Sequence, residues 1–165
     1  MRQISWFFML FFFVPLTAMA QNELVNFNGK PGELEKYLGQ GKWSIVMIWA
    51  HNCHICNQEV HQYISFHEKH HKSDAQVIGL SVDGKEYLQQ AETFIKRHNL
   101  NFTSLIGEPE VVARFFEELT GEAWFGTPTF LVYNPKGELR AQQVGAVPTE
   151  LIENFIQRES TKSIP

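Results

Sequence analysis

The chain has 165 residues, with 14 Lys and Arg, 18 Asp and Glu, and two cysteines. A net charge of −4 argues against nucleic acid as a partner, because binding phosphates needs a concentrated basic surface. Two cysteines are too few for the disulfide framework of a small secreted scaffold, so a hydrophobic core must hold the fold.

The N-terminus predicts export. Arg2 precedes an apolar run over residues 6–16, and Ala18-Met19-Ala20 forms a small-x-small cleavage pattern. The apolar run is much shorter than the roughly 20 residues that a membrane-spanning helix needs. We therefore expect residues 1–20 to be a cleaved signal peptide and residues 21–165 to be one domain, periplasmic or secreted. A retained N-terminal membrane anchor is the alternative.

The first half of the mature chain predicts a strand–helix–strand unit after a short helix. Residues 31–39 open with Pro and Glu and close on Gly, which predicts the short helix. The continuous apolar run WSIVMIWA, residues 43–50, predicts a central strand that is covered on both faces. A helix is expected over residues 53–72 and a second buried strand over 75–82.

The second half continues the alternation of strands and helices. The spacing of apolar residues predicts a helix over 85–98, a short strand over 102–106, a helix from Pro109 to Gly121, a hairpin of TFLVY (129–133) and ELRAQQVG (138–145), and a final helix over 148–159. Such alternation gives parallel pairing, and the late hairpin adds antiparallel strands. The prediction is an α/β fold, with a mixed central β-sheet and helices on both faces.

Cys53 and Cys56 stand between a buried strand and the start of a helix. A bridge between them closes almost no loop and adds little chain-entropy stabilisation, so the pair is expected to serve chemistry. The free N–H groups and the positive dipole end of the helix favour a thiolate at Cys53, and a protonated His54 would add to this effect. Cys56, one turn further on, can attack a mixed disulfide formed at Cys53.

Metal binding is the alternative use of a Cys-x-x-Cys pair, which is also half of many zinc sites. The chain has no second cysteine pair, but it has six histidines within 21 residues: His51, His54, His61, His67, His70 and His71. Thiolates and imidazoles suit Cu(I) and zinc. A secreted copper- or zinc-binding module therefore stays open, whereas the redox interpretation requires no metal or other cofactor.

A second motif lies some seventy residues later, where WFGTPTF places Pro128 directly before an apolar strand. With WAxxCxxC, GTPTFLVYNPKGEL and a following Val-Gly-Ala, the chain resembles the thioredoxin superfamily. It is most similar to the TlpA/ResA-like branch of extracytoplasmic thiol–disulfide oxidoreductases. The resemblance covers roughly residues 30–158 and implies a thioredoxin-like fold.

The resemblance implies a role for individual residues. Cys53 matches the exposed nucleophile and Cys56 the buried resolving cysteine. Pro128 matches the cis proline beside the cysteine pair, and Thr127 matches the position whose backbone pairs with the substrate. Glu59 matches an acidic residue that is proposed to assist proton transfer.

Other positions are expected to shape the substrate groove or the redox preference. Trp49 and Trp124 are expected to contact the substrate, while His54 and Ile55, between the cysteines, are expected to tune the reduction potential. Met47 stands where cytoplasmic thioredoxins bury an acid. Proton transfer to Cys56 would therefore need Glu59 or water.

The resemblance also implies partners and a direction of electron flow. Members of the branch usually act as reductants fed by a membrane electron donor, and they keep apocytochrome c or other exported cysteines reduced. We expect a monomer that acts on protein disulfides. A thiol oxidase of the same fold is an alternative. A peroxide-reducing enzyme is disfavoured, because the chain lacks the Pro-x-x-x-Thr-x-x-Cys pattern.

Overall fold

The computed structural model describes residues 24–162, which form one mixed sheet with four α-helices. The strands are β1 (Val25–Asn26), β2 (Trp43–Trp49), β3 (Ala75–Ser81), β4 (Ser104–Ile106), β5 (Thr129–Tyr133) and β6 (Leu139–Val144). The helices are α1 (His54–His70), α2 (Leu88–His98), α3 (Pro109–Thr120) and α4 (Thr149–Lys162). The strand order is β1-β4-β3-β2-β5-β6.

The pairing confirms the predicted mixed sheet. Strands β2, β3 and β4 are parallel, and α1 and α2 form the crossovers between them. β5 is antiparallel to β2, and β6 is antiparallel to β5. The registers pair Trp49 with Ser81 and Ile48 with Thr129, so the ends of β2 and β3 and the start of β5 meet at one edge of the sheet.

The core explains why the sequence of β2 is continuously apolar. All seven residues of β2 are buried, and successive side chains point to opposite faces. One face packs on α1, α2 and α4 through a cluster that includes Met47 and Phe94. The other face packs on α3 through a cluster that includes Val46 and Phe116. Helices therefore cover both faces, as predicted.

The region before β2 departs from the prediction of a helix over 31–39. Pro31 instead pairs with Val25 as an isolated bridge, so the chain is extended there. Only Leu34–Tyr37 form a 3₁₀ helix, which ends at the extended backbone of Leu38. Positive φ angles at Gly39 and Gly41 follow.

Two further points concern the ends of the chain. The predicted signal peptide over residues 1–20 lies outside the described residues. Within 24–162, no helix is both long enough and apolar enough to cross a lipid bilayer.

Candidate active site

The two cysteines form a disulfide at the N-terminus of α1, with Cα atoms 5.2 Å apart. After Trp49 the chain turns through residues 50–53, and the backbone N–H of Cys53 donates to the carbonyl of Ala50 at 3.2 Å. Cys56 is fully buried, whereas Cys53 is half-buried. Cys53 is therefore the sulfur that a partner can reach, as the resemblance implies.

The position of Cys53 favours a negatively charged sulfur once the disulfide is reduced. Cys53 is the N-cap residue of α1, and its Sγ accepts a hydrogen bond from the backbone N–H of Cys56 at 3.0 Å. The first turn of α1 contains no acidic residue. The free N–H groups and the positive dipole end of the helix are thus directed at this sulfur without a competing carboxylate.

The proline loop reaches the same edge of the sheet. The Thr127–Pro128 peptide bond is cis, and Thr129, the next residue, pairs with Ile48 of β2. Pro128 is buried, Thr127 is half-buried, and the carbonyl of Pro128 accepts from the backbone N–H of Gly145 at 2.8 Å. This places Pro128 beside the end of β2, from which the cysteine loop departs. The geometry agrees with the implied groove, and the role of Thr127 in binding substrate stays a prediction.

Two aromatic residues precede the cis proline, and they lie in different environments. Trp124 packs on the core, and its Nε1 donates to Thr129 Oγ1 at 3.2 Å, which anchors the loop. The Thr129 hydroxyl in turn donates to the carbonyl of Gly126 at 2.5 Å. Phe125 is 80% exposed. Phe125 is therefore better placed than Trp124 to contact a partner, although both residues flank the loop.

The prediction that Trp49 contacts the substrate is wrong. Its side chain is completely buried and stacks on Phe94, with ring centroids 4.4 Å apart, and on Phe27 at 6.4 Å. The side chain of Trp49, the last residue of β2, therefore points into the core and not towards a partner.

The remaining predicted residues lie on α1. Glu59 is half-buried and accepts a hydrogen bond from Nε2 of Gln62. Cys56 and Met47 belong to the same apolar cluster. The role of Glu59 in proton transfer to Cys56 stays a prediction. His54 and Ile55 are both exposed on the first turn, so a partner bound at Cys53 would meet them, and their effect on the reduction potential stays a prediction.

The other histidines of the His-rich segment make separate local contacts. His67 stacks on His71, His61 contacts His98, and His70 pairs with Asp74 and Glu153. Across residues 24–162, no group of three or more His, Cys, Asp or Glu side chains could hold a metal ion.

Sequence reasoning missed a polar pair beside the cysteines. His51 Nδ1 lies 2.5 Å from Asp83 Oδ1, and the backbone N–H of His51 donates to both carboxylate oxygens at 3.2 and 3.0 Å. Asp83 is only 6% exposed and follows β3. The available signal was topological: β2 and β3 are parallel neighbours, so the loops that follow them meet at one edge.

Comparison with known proteins agrees with this geometry. A family profile described as the AhpC/TSA family matches residues 15–142. The chain belongs to the AhpC/TSA family. The sporulation thiol-disulfide oxidoreductase A of Bacillus subtilis (strain 168) is 24% identical over 119 residues, which are 72% of this chain and 68% of that protein. The predicted membership of the thioredoxin superfamily is confirmed.

Solved structures of similar fold include two proteins whose names describe disulfide exchange or disulfide oxidoreduction. A thiol:disulfide interchange protein of the thioredoxin family from Chlorobium tepidum TLS has a TM-score of 0.68 and 20% identity, over 81% of this chain and 89% of that chain. A secreted disulfide oxidoreductase from Mycobacterium tuberculosis has a TM-score of 0.61 and 19% identity, over 81% and 92%. Taken with the Cys53–Cys56 disulfide, the family membership makes this AhpC/TSA protein a thiol–disulfide oxidoreductase of the thioredoxin fold.

Proposed function

We propose that this protein works outside the cytoplasm, in the bacterial periplasm or an equivalent space, where it reduces disulfides of exported proteins. The observation that carries the proposal is the half-buried Cys53 at the N-terminus of α1, bonded to the buried Cys56. The predicted signal peptide supports the location. The word "secreted" in the name of the Mycobacterium tuberculosis protein gives further support.

The difference in burial between the two sulfurs decides the order of the reaction. In the reduced protein, the Cys53 thiolate attacks one sulfur of a partner disulfide, a mixed disulfide forms, and one partner thiolate leaves and takes up a proton. Cys56 then loses its proton to Glu59 or water and attacks Cys53 Sγ as a thiolate, and the second partner thiolate leaves and takes up a proton. Two electrons pass to the partner, and the Cys53–Cys56 disulfide is formed. A membrane electron donor then restores the dithiol.

The surface around Cys53 suits an extended polypeptide. Thr127 provides backbone next to the cis Pro128. Ile55, between the two cysteines, and Phe125, before the proline loop, expose apolar side chains. We propose that a segment of an unfolded exported protein lies along the Thr127 backbone, with its cysteine next to Cys53. Apocytochrome c is one such substrate. The protein acts as a monomer, since one chain contains both cysteines and the proline loop.

Turnover assays with cysteine variants test the proposal. Wild-type protein should catalyse the reduction of insulin by dithiothreitol, Cys53→Ser should abolish this catalysis, and Cys56→Ser should accumulate mixed disulfides with insulin. The Cys56→Ser variant is the matched control, because it removes the same atom type one turn away. Turnover by Cys53→Ser would refute the proposal. Copper or zinc retained in stoichiometric amount through dialysis, without thiol exchange, would support the metal-binding alternative.

A further inference from the structure

Asp83 is a buried carboxylate that the cysteine chemistry described so far does not use. It lies in the loop after β3, and its side chain is 3% exposed. Oδ1 contacts His51 Nδ1 at 2.5 Å, and Oδ2 accepts from the Ser81 hydroxyl at 2.7 Å. The backbone N–H of His51 contacts both oxygens. Burying a carboxylate without partners would be strongly unfavourable, so the fold provides these donors for it.

The carboxylate fixes the orientation of the His51 ring. Because Nδ1 donates to Asp83, the neutral imidazole carries its acceptor at Nε2, on the ring edge away from the carboxylate. The ring stacks on Tyr87, with centroids 5.3 Å apart, and the His51 side chain stays 21% exposed. In the part of the chain that the structure describes, no residue makes a hydrogen bond to Nε2.

The loop that joins His51 to Cys53 is held in place from its other side. The side-chain amide of Asn57 donates to the carbonyl of His51 at 3.2 Å and to the carbonyl of Cys53 at 2.8 Å. The turn between the two residues is closed by the contact from the Cys53 N–H to the Ala50 carbonyl. The imidazole and the nucleophilic sulfur thus belong to one clamped turn.

We propose that His51 is the base of the redox site and that Asp83 is the positioning residue that orients it. The inference rests on the proposed function and deepens it. In the reduced protein, His51 Nε2 takes the proton from the Cys53 thiol, so that the S–H bond breaks, an N–H bond forms, and a thiolate faces an imidazolium. The Asp83 carboxylate balances the imidazolium charge. The imidazolium then returns the proton to the partner thiolate that leaves.

The arrangement follows the nucleophile, base and orienting carboxylate of other nucleophilic enzymes. In the oxidised state Cys53 Sγ is bonded to Cys56, so the proposal assigns contact between Sγ and the imidazole to the dithiol state. Attack by Cys53 requires that state.

Other titratable groups near His51 come from α1 and from the segment that leads into α2. On α1, His54 is exposed next to Cys53, and His61 contacts His98. On α2, His98 Nε2 contacts Asn57 Oδ1, and Asn57 in turn bonds the turn that holds Cys53. Burial is the larger cause of the lowered His98 pKa, and the neighbouring His61 is the second. Tyr87 stacks on His51, and a hydrogen bond with Glu86 raises the Tyr87 pKa. Among these groups, His51 alone contacts the Asp83 carboxylate.

The test measures the alkylation rate of reduced Cys53 by iodoacetamide between pH 5 and 9, with peptide mapping to separate Cys53 from Cys56. The variants are His51→Gln, which keeps a donor towards Asp83, Asp83→Asn, and His61→Gln as the matched control. His61 is an exposed histidine of α1 that contacts His98 and has no assigned role at the redox site.

We expect His51→Gln to move the midpoint of the rate profile to higher pH and to lower the rate near pH 6.5 at least about tenfold, with convergence at pH 9. Asp83→Asn should shift the profile in the same direction, and His61→Gln should stay within about twofold of wild type. A His51→Gln profile that matches wild type or His61→Gln would overturn the inference. If Asp83→Asn does not fold, the comparison of His51→Gln with His61→Gln decides alone.

The outcome is separable from that of the proposed function. Insulin reduction that needs Cys53, together with an unchanged His51→Gln profile, would remove only the role of His51. Insulin reduction without Cys53 would remove the proposed function itself.

Discussion

His67 of α1 should make the protein less stable as the pH falls. Its Nδ1 accepts a hydrogen bond from the backbone N–H of Val77 at 3.0 Å. A protonated ring cannot accept this bond. Burial, followed by the neighbouring His71 and Lys42, lowers the His67 pKa from 6.5 to about 4. The imidazole therefore serves β3 as a neutral acceptor in the folded protein.

The size and the sign of the effect follow from this pKa. A fall from 6.5 to about 4 corresponds to about 3 kcal/mol, and we expect about 1–2 kcal/mol because His67 is only half-buried. The folded-state pKa lies below that of the unfolded chain. The stabilisation is therefore fully present above pH 6.5 and is lost as the pH falls from 6.5 through 4.

Urea unfolding at pH 7.5, 6, 5 and 4 measures the effect on wild type, His67→Gln and His71→Gln. The Gln carbonyl can accept from Val77 and does not titrate, so His67→Gln should lose about 1–2 kcal/mol less stability than wild type over this range. His71→Gln should lose nearly as much stability as wild type, because burial, the larger cause of the lowered His67 pKa, is kept. Equal losses in wild type and His67→Gln would refute the reasoning.

Three further changes have separate expected outcomes. A Cβ at Gly79 would clash with Ser104 Oγ, so Gly79→Ala should lower the free energy of unfolding by about 1–3 kcal/mol in denaturant titrations. An unchanged value would contradict the close packing seen there. The Tyr63 hydroxyl donates to the Val147 carbonyl at 2.7 Å; Tyr63→Phe should therefore destabilise the protein by about 1–2 kcal/mol, measured in the same way, and a neutral effect would mean that water replaces the bond. Phe125→Ser should leave stability within about 0.5 kcal/mol but lower kcat/KM for insulin, with little change for a small aromatic disulfide. Equal loss with both substrates would argue against a protein-binding role for this side chain.

The sequence predicted the elements that frame the site because their signals are local. The buried run of β2, the apolar strand after Pro128 and the helix from Pro109 to Gly121 each have a clear periodicity or a clear stop signal, and the structure confirms them. The helix expected over 31–39 does not form as predicted, because the bridge between Pro31 and Val25, a tertiary contact, keeps the chain extended at its start.

Local sequence patterns predicted neither the burial of Trp49 nor the contact between His51 and Asp83 at the edge of the sheet. Trp49 stands in the motif next to the cysteines, yet the alternation of β2 points it into the core. The contact between His51 and Asp83 joins loops 32 residues apart, which no periodicity reveals. The site was thus predictable at Cys53, Cys56 and Pro128, where short motifs fix the geometry.

The equilibrium between the Cys53–Cys56 disulfide and the dithiol, titrated against glutathione and read by thiol trapping with peptide mapping, tests the central claim most directly. We predict one reversible two-electron transition, a reduction potential near that of thioredoxin, roughly −270 mV, and faster trapping of Cys53 than of Cys56. A couple near −120 mV would instead indicate an oxidant. The absence of a reversible transition, or faster trapping of Cys56, would contradict the account.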